Sequence, residues 1–168
     1  YFVKELVLDK LDVLLDPEGL LRRILSLGVR QVEATSGSLM LLNPNTGSLD
    51  IEVAVGLGAR ARRAKLKLGE GITGHVAITG EPVRVDDVSR DRRYIEIETR
   101  TRSEMAVPLT LKDQVIGVLN VDSTRKAAFN NEHLKELVEF SDQASEWIKL
   151  AWDINQLRVK GEQLETLV

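Results

Sequence analysis

The sequence predicts an α+β fold built on a central antiparallel sheet of about five or six strands, with long helices at both ends of the chain. Three observations carry this. Apolar residues recur at helical spacing over the first and last stretches. Two pairs of apolar runs flank short turn sequences, as the strands of hairpins do. In the second pair, Met105 to Leu111 and Val115 to Val121, apolar residues occupy successive positions, which suits strands covered on both faces and makes the sheet a central layer.

Taken in order, Phe2, Val3, Leu6, Val7, Leu11, Leu14 and Leu15 mark an amphipathic helix that Asp16-Pro17 ends. Asp16 then caps a second helix with Pro17 at its first position, and Leu20, Leu21, Ile24, Leu27, Val32 and Ala34 carry it to about Thr35. Ser38 to Leu42 and Ser48 to Val55 read as a hairpin around Asn43-Pro44-Asn45-Thr46-Gly47. The alternating stretch Ala64 to Leu68 precedes a glycine cluster. Ile72 to Thr79 follows as a helix of about two turns closed by Gly80-Glu81-Pro82, and Pro82 to Val85 is a brief strand. Asp86 to Arg102 is a charged loop with a short helix, anchored by Val88, Tyr94, Ile95 and Ile97. After the second hairpin, Asn130 or Asn131 caps a long helix.

The seam Leu137, Phe140, Ala144, Trp147, Ala151, Ile154, Leu157, Gly161, Leu164, Val168 alternates steps of three and four apart from two successive threes, a heptad pattern with one stammer. A helix that outlasts its domain with a continuing apolar seam calls for a partner. A parallel homodimer through Leu6, Leu137, Phe140, Ala144, Trp147, Ala151, Ile154 and Leu164 supplies one. Packing of the same seam on Phe2 to Leu15 of its own chain is the alternative.

Composition narrows function. With 168 residues, 43% of them hydrophobic, the chain fills one core and not two. The expected organisation is a linker or dimerisation helix over residues 1–16, a domain over 17–149 and a helical signalling extension over 150–168. A net charge of −3 argues against bulk attraction to nucleic acid or anionic membrane. No apolar run approaches the roughly 18 residues that cross a bilayer, so a cytoplasmic location is expected. The chain has no cysteine, which removes disulfides, thiolate nucleophiles and cysteine-ligated metals.

The series Gly69-Glu70-Gly71-Ile72-Thr73-Gly74-His75-Val76-Ala77, Gly80-Glu81-Pro82-Val83, Arg102-Ser103-Glu104-Met105-Ala106-Val107-Pro108-Leu109 and Ile116-Gly117-Val118-Leu119-Asn120-Val121 resembles, in order and spacing, the GAF domain family from about Pro17 to Lys149. The resemblance implies a three-layer α/β/α architecture, with the terminal helices on one sheet face. On the other face it implies a pocket roofed by the helix after Gly71 and by the loop from Asp86 to Arg102. Cyclic-nucleotide-binding members carry an Asn-Lys pair followed by Phe and Asp-Glu. Here Asn120 precedes Val121, and Phe129 precedes Asn130-Asn131-Glu132, so that signature is broken. Arg102-Ser103-Glu104-Met105 also resembles the free methionine sulfoxide reductases of the family, whose chemistry depends on cysteines. Their absence is expected to exclude that activity, as it excludes pigment tethering.

Candidate pocket residues are Ile72, His75, Val76, Asp86, Tyr94, Arg102, Ser103 and Met105. Gly69-x-Gly71-x-x-Gly74 spells a dinucleotide fingerprint but lacks the buried parallel strand and full crossover helix. It reads as a tight turn with close helix packing, or an anion rest at a helix start. His75 is the one imidazole positioned for haem or a ligand, with a surface placement as the plain alternative, and His133 is read as solvated. Two histidines give no recognisable metal site, and no cofactor is named. Asp86, Asp87, Asp91, Glu96, Glu98 and Glu104 alternate with arginines and read as solvated, exchangeable ion pairs. The basic run Arg60, Arg62, Arg63, Lys65 and Lys67 contains no aromatic, which leaves stacking on nucleic acid unsupported. The expectation is a non-catalytic sensory or regulatory domain. It would bind an unknown small molecule and signal through the dimerising helix to a downstream effector domain of the same polypeptide, without contacting nucleic acid or membrane. The alternatives are a ligand-free dimerisation module, a haem or metal sensor, and a cyclic-nucleotide sensor.

Overall fold

The computed structural model describes residues 16–97 and 100–167. The expected helix from Phe2 to Leu15, and with it Leu6 of the proposed interface, lies outside the described residues.

Helix α1, Pro17–Gln31, starts as its sequence dictates. The Asp16 carboxylate accepts from the Gly19 amide at 3.1 Å, and Pro17 occupies a position whose N–H has no helical acceptor. It stops four residues short of the expected end. Glu33 adopts a left-handed φ of 54°, which lets the Ala34 amide fold back onto the Val29 carbonyl at 2.9 Å and closes the last turn.

The six strands are β1 Ser36–Asn43, β2 Ser48–Val55, β3 Lys65–Lys67, β4 Val83–Val85, β5 Ser103–Leu111 and β6 Gln114–Ser123. They form one antiparallel sheet in the order β3-β2-β1-β6-β5-β4, bearing out the expected class. Between β2 and β3 lies a single helical turn, α2, Ala59–Arg62, and α3 is Gly71–Thr79. Helix α4, Asn131–Thr166, is 36 residues long and thus about 54 Å. His133 is part of its cap and not simply solvated: Asn130 Oδ1 accepts from the His133 amide at 2.9 Å, and His133 Nδ1 accepts from the Asn130 amide at 3.0 Å. No helix among the described residues is long and apolar enough to cross a membrane.

The pleat of the sheet separates two cores. On one face, Met105, Val107, Leu109, Leu119 and Val121 meet Leu20, Ile24 and Leu25 of α1 and Leu137 and Phe140 of α4. The two helices cross closely because Gly28 has no side chain: a Cβ there would stand 3.1 Å from the Phe140 ring. On the other face, Met40, Leu49, Ala106 and Val118 lie under Ile72 and Val76 of α3. Helix α3 is itself drawn down onto β3, since a Cβ on Gly74 would sit 2.7 Å from the Lys67 carbonyl. This is the close packing expected of the glycine cluster.

Candidate functional site

Register decides what the second face carries. Glu104 of β5 pairs directly with Asp122 of β6, and Asp122 pairs with Ser36 of β1. One step along, Ala106 pairs with Asn120 and Asn120 with Ser38. Residues in register on neighbouring strands share a face, so Glu104, Asp122, Asn120 and Ser38 form one polar patch in the middle of an otherwise apolar sheet. Asn120 Nδ2 donates to both carboxylate oxygens of Asp122 at 3.3 Å.

Above this patch is a cavity of about 80 Å³, open at one side. The patch lines it from the sheet, Gly71, Ile72 and Thr73 line it from the start of α3, and Tyr94, Ile95, Ile97 and Thr101 line it from the loop that precedes β5. Three buried polar atoms have no hydrogen-bond partner among the described residues: Thr73 Oγ1, Glu104 Oε2 and Asn120 Oδ1. All three residues line this cavity. A buried polar atom left unpaired costs about 1–3 kcal/mol, so three converging on one space mark it as built for something that completes them.

The electrostatics agree. Glu104 is 6% exposed, and its carboxyl is held well above the ordinary carboxylate range, first by burial and then by the facing charge of Asp122. The Asn120 hydrogen bond acts the other way. The Tyr94 phenol is pushed up to about 12, by burial first and then by Glu104 and Asp122, so it remains a proton donor. Tyr94 and Thr101 share a side-chain hydrogen bond, and both also border an outer groove with Asp87, Asp91, Arg102 and Lys126.

Of the eight candidate pocket residues, Ile72 and Tyr94 line the cavity. Ser103 and Met105 point to the opposite face: Ser103 Oγ donates to the Arg125 carbonyl at 2.6 Å, and Met105 is in the core beneath α1 and α4. Their neighbour Glu104 takes the position sought, because a shift of one residue in a strand exchanges faces. Val76 of α3 is packed into the core against the sheet, and His75 is half-buried outside the cavity lining. Asp86 is exposed and bonded to Arg84 at 3.1 Å, and Arg102 is exposed on the outer groove.

The carboxylates also divide. Asp87 and Asp91 are held below the usual range, Asp87 chiefly by its bond from Ser89 and Asp91 by Arg93, whose guanidinium stands 2.6 Å away. Glu104 is instead buried, which corrects the expectation that it belongs to the solvated set.

The interface candidates split along α4. Leu137, Phe140, Ala144 and Ala151 are buried in their own domain's core, Trp147 and Ile154 are half-buried, and Leu164 is 65% exposed. The first half of the seam is therefore satisfied within one chain.

A GAF domain family model matches residues 15–149. The chain belongs to the GAF domain family. Among curated proteins it is similar to the free methionine-R-sulfoxide reductase of Escherichia coli (strain K12), with 32% identity over 77 residues, which is 44% of this chain and 47% of that protein. The chain spans about half the length of the curated relatives it matches. Among solved structures it is similar to the free methionine-R-sulfoxide reductase from Neisseria meningitidis in complex with its substrate. The TM-score is 0.79 at 22% identity, covering 90% of this chain and 87% of that one. It also resembles the GAF domain of an Acinetobacter phosphoenolpyruvate-protein phosphotransferase, with TM-score 0.76 and 22% identity over 90% of both chains. At that identity the structural likenesses show the fold. The expectation of a non-catalytic sensory module, with reductase activity excluded by the missing cysteines, is corrected by these matches, in which a named enzyme recurs in both sequence and structure.

Proposed function

We propose that this GAF domain binds a free amino acid of the methionine sulfoxide class in the cavity and supports its reduction by an external thiol. The observation that carries the reading is the polar patch on the sheet. Glu104 Oε2 and Asn120 Oδ1 are buried acceptors without a partner, and the Asp122 carboxylate lies beside them. Acceptors grouped around one ionisable pair suit a primary ammonium, which brings three donors and a positive charge. A cavity of about 80 Å³ takes the head group of an amino acid and is too small for haem or a nucleotide. In this reading the ligand's side chain lies toward Tyr94, Ile95 and Ile97.

The sulfoxide class comes from the name of the curated relative. In such a reduction the sulfoxide oxygen leaves as water with two protons, and two thiols are oxidised to one disulfide. The chain holds no cysteine, so both thiols come from solution through the open side. In this reading the Tyr94 hydroxyl, which lines the cavity and stays protonated, is the donor to the sulfoxide oxygen.

The test is methionine formation from free methionine-R-sulfoxide and excess dithiol, with the S epimer as control. Protein-dependent product from the R epimer is expected, lowered at least about tenfold in kcat/KM by Glu104→Gln. Product no faster than with the thiol alone would overturn the catalytic part of the reading.

We also propose that the distal half of α4 pairs with a second copy of the chain. Beyond Ala151 the helix leaves the domain, with Leu157 70% exposed and Leu164 65% exposed, and a lone helix of that length is marginal in water. Light scattering on the wild type and on Leu157→Asp/Leu164→Asp should give a dimer and a monomer respectively. Equal masses would refute the pairing.

A further inference from the structure

Charge is spread unevenly along the chain. Residues 53–69 hold Arg60, Arg62, Arg63, Lys65 and Lys67 and no acid, so the net charge of −3 conceals one cationic region. Arg60 and Arg62 are on the single turn α2, Arg63 follows it, and Lys65 and Lys67 are on β3, an edge strand of the sheet. All five are exposed, and none makes an ion pair among the described residues. Two acids close by are otherwise engaged. Asp50, in register with Lys65, accepts from the Ser48 hydroxyl at 2.8 Å, and the Glu70 carboxylate is turned back to accept from the Lys67 amide at 3.2 Å. Lysines on an edge strand discourage pairing with another sheet, but the three arginines stand outside the ladder and need another account. Beside the cations, large apolar side chains face water. Leu68 is 38% exposed, Ile78 62% and Ile95 43%, and the other exposed large apolar residues described all lie from Leu150 onward. These three surround one turn: Leu68 precedes Gly69, a Cβ on Gly69 would meet Ile78 Cδ1 at 3.8 Å, and one on Gly71 would meet Ile95 Cδ1 at 3.6 Å.

We propose that this surface docks the domain on an anionic lipid bilayer, with the arginines and lysines on the headgroups and Leu68, Ile78 and Ile95 at the boundary between headgroups and acyl chains. The charge is complementary to such a surface, where each nearby cation strengthens binding about fivefold. The branched aliphatic side chains find cover in a bilayer that a bare polyanion would not provide. Residues 53–69 also contain no aromatic side chain on which bases could stack. Lys65 and Lys67 stand on the opposite face of β3 from Leu66, and their flexible stems let the ammonium groups reach round the strand edge. The same two elements form a wall of the cavity through Ala61 and Leu66, so the docked domain holds its cavity at the bilayer surface.

The experiment is co-sedimentation of the whole chain with vesicles of phosphatidylcholine alone or mixed with phosphatidylserine. Binding is expected only where phosphatidylserine is present, and it should be lost as salt is raised to about 1 M, where charges are screened beyond about 3 Å. Arg60→Gln/Arg63→Gln should weaken it about 25-fold, and Ile78→Ser about five- to tenfold. Arg30→Gln/Lys135→Gln removes the same charge from exposed positions on α1 and α4, across the sheet, and should leave binding unchanged. Equal weakening by the two charge pairs would reduce the effect to net charge and overturn the assignment, as would failure to bind either vesicle. If vesicles are not bound but a single-stranded oligonucleotide is, and Arg60→Gln/Arg63→Gln abolishes that binding, the surface belongs to nucleic acid and the lipid assignment falls.

Discussion

Strands β5 and β6 have two faces, and burial is satisfied differently on each. Toward α1 and α4 they present Met105, Val107, Leu109, Leu119 and Val121, all fully buried and all apolar. One pleat away the same strands present Glu104, Asn120 and Asp122, also buried, with Glu104 Oε2 and Asn120 Oδ1 unpaired among the described residues. The first face gains stability from every atom it hides. The second loses some of it by desolvating two facing carboxyl groups in register. A sheet whose apolar side is this complete tolerates a costly polar side, and the cost falls where the cavity is.

The sharpest way to probe that contrast is to weaken the apolar face. Leu119 is fully buried at the centre of the helix-side core, with a methyl near enough to Gly28 to meet a Cβ there at 3.6 Å. Leu119→Ala should cost about 2–5 kcal/mol by urea denaturation, because the neighbouring helices are already in close contact and collapse little into the space. A cost below about 1 kcal/mol would mean that the helix layer is loosely packed and that the two faces differ less than their burial implies.

How much of this was legible depends on which signals are local. The helices, hairpins and sheet class follow from periodicity and turn residues, and they were readable. The single turn Ala59–Arg62 is too short to show a period, and the early stop of α1 depends on a left-handed Glu33, a conformation that glutamate does not advertise. At the site, Ile72 and Tyr94 were readable because a glycine cluster and a sparsely apolar loop framed them. Glu104 was not, since β5 is apolar on both faces and nothing in it marks which neighbour turns toward α3. A usable signal did exist: Asn120 and Asp122 stand two apart within an apolar strand, hence on one face. Their partner Glu104 becomes visible only once the β5–β6 register is known. The likeness to the reductases was legible at Arg102-Ser103-Glu104-Met105, but the absence of cysteine was weighed above it.

A smaller effect, specific to the polar face, separates the two further. Glu104 holds its proton to a higher pH in the folded chain than in the unfolded one, owing first to burial and then to Asp122. A group with a raised folded pKa contributes stability that is fully present below its unfolded value, near 4.5, and is lost as pH rises through the folded value. In that window the folded state retains a proton that the unfolded state has released, so stability falls with pH by at most about 1.4 kcal/mol per unit. Glu104→Gln cannot titrate and should remove that slope. Urea titrations of both proteins between about pH 5 and 8 should therefore diverge, the variant gaining on the wild type as pH rises. An ammonium ligand should reverse the trend, since it favours the ionised carboxylate and binds more tightly as Glu104 gives up its proton. Parallel pH profiles for the two proteins would show Glu104 ionised in the fold throughout, and the polar face would then be an ordinary charged patch.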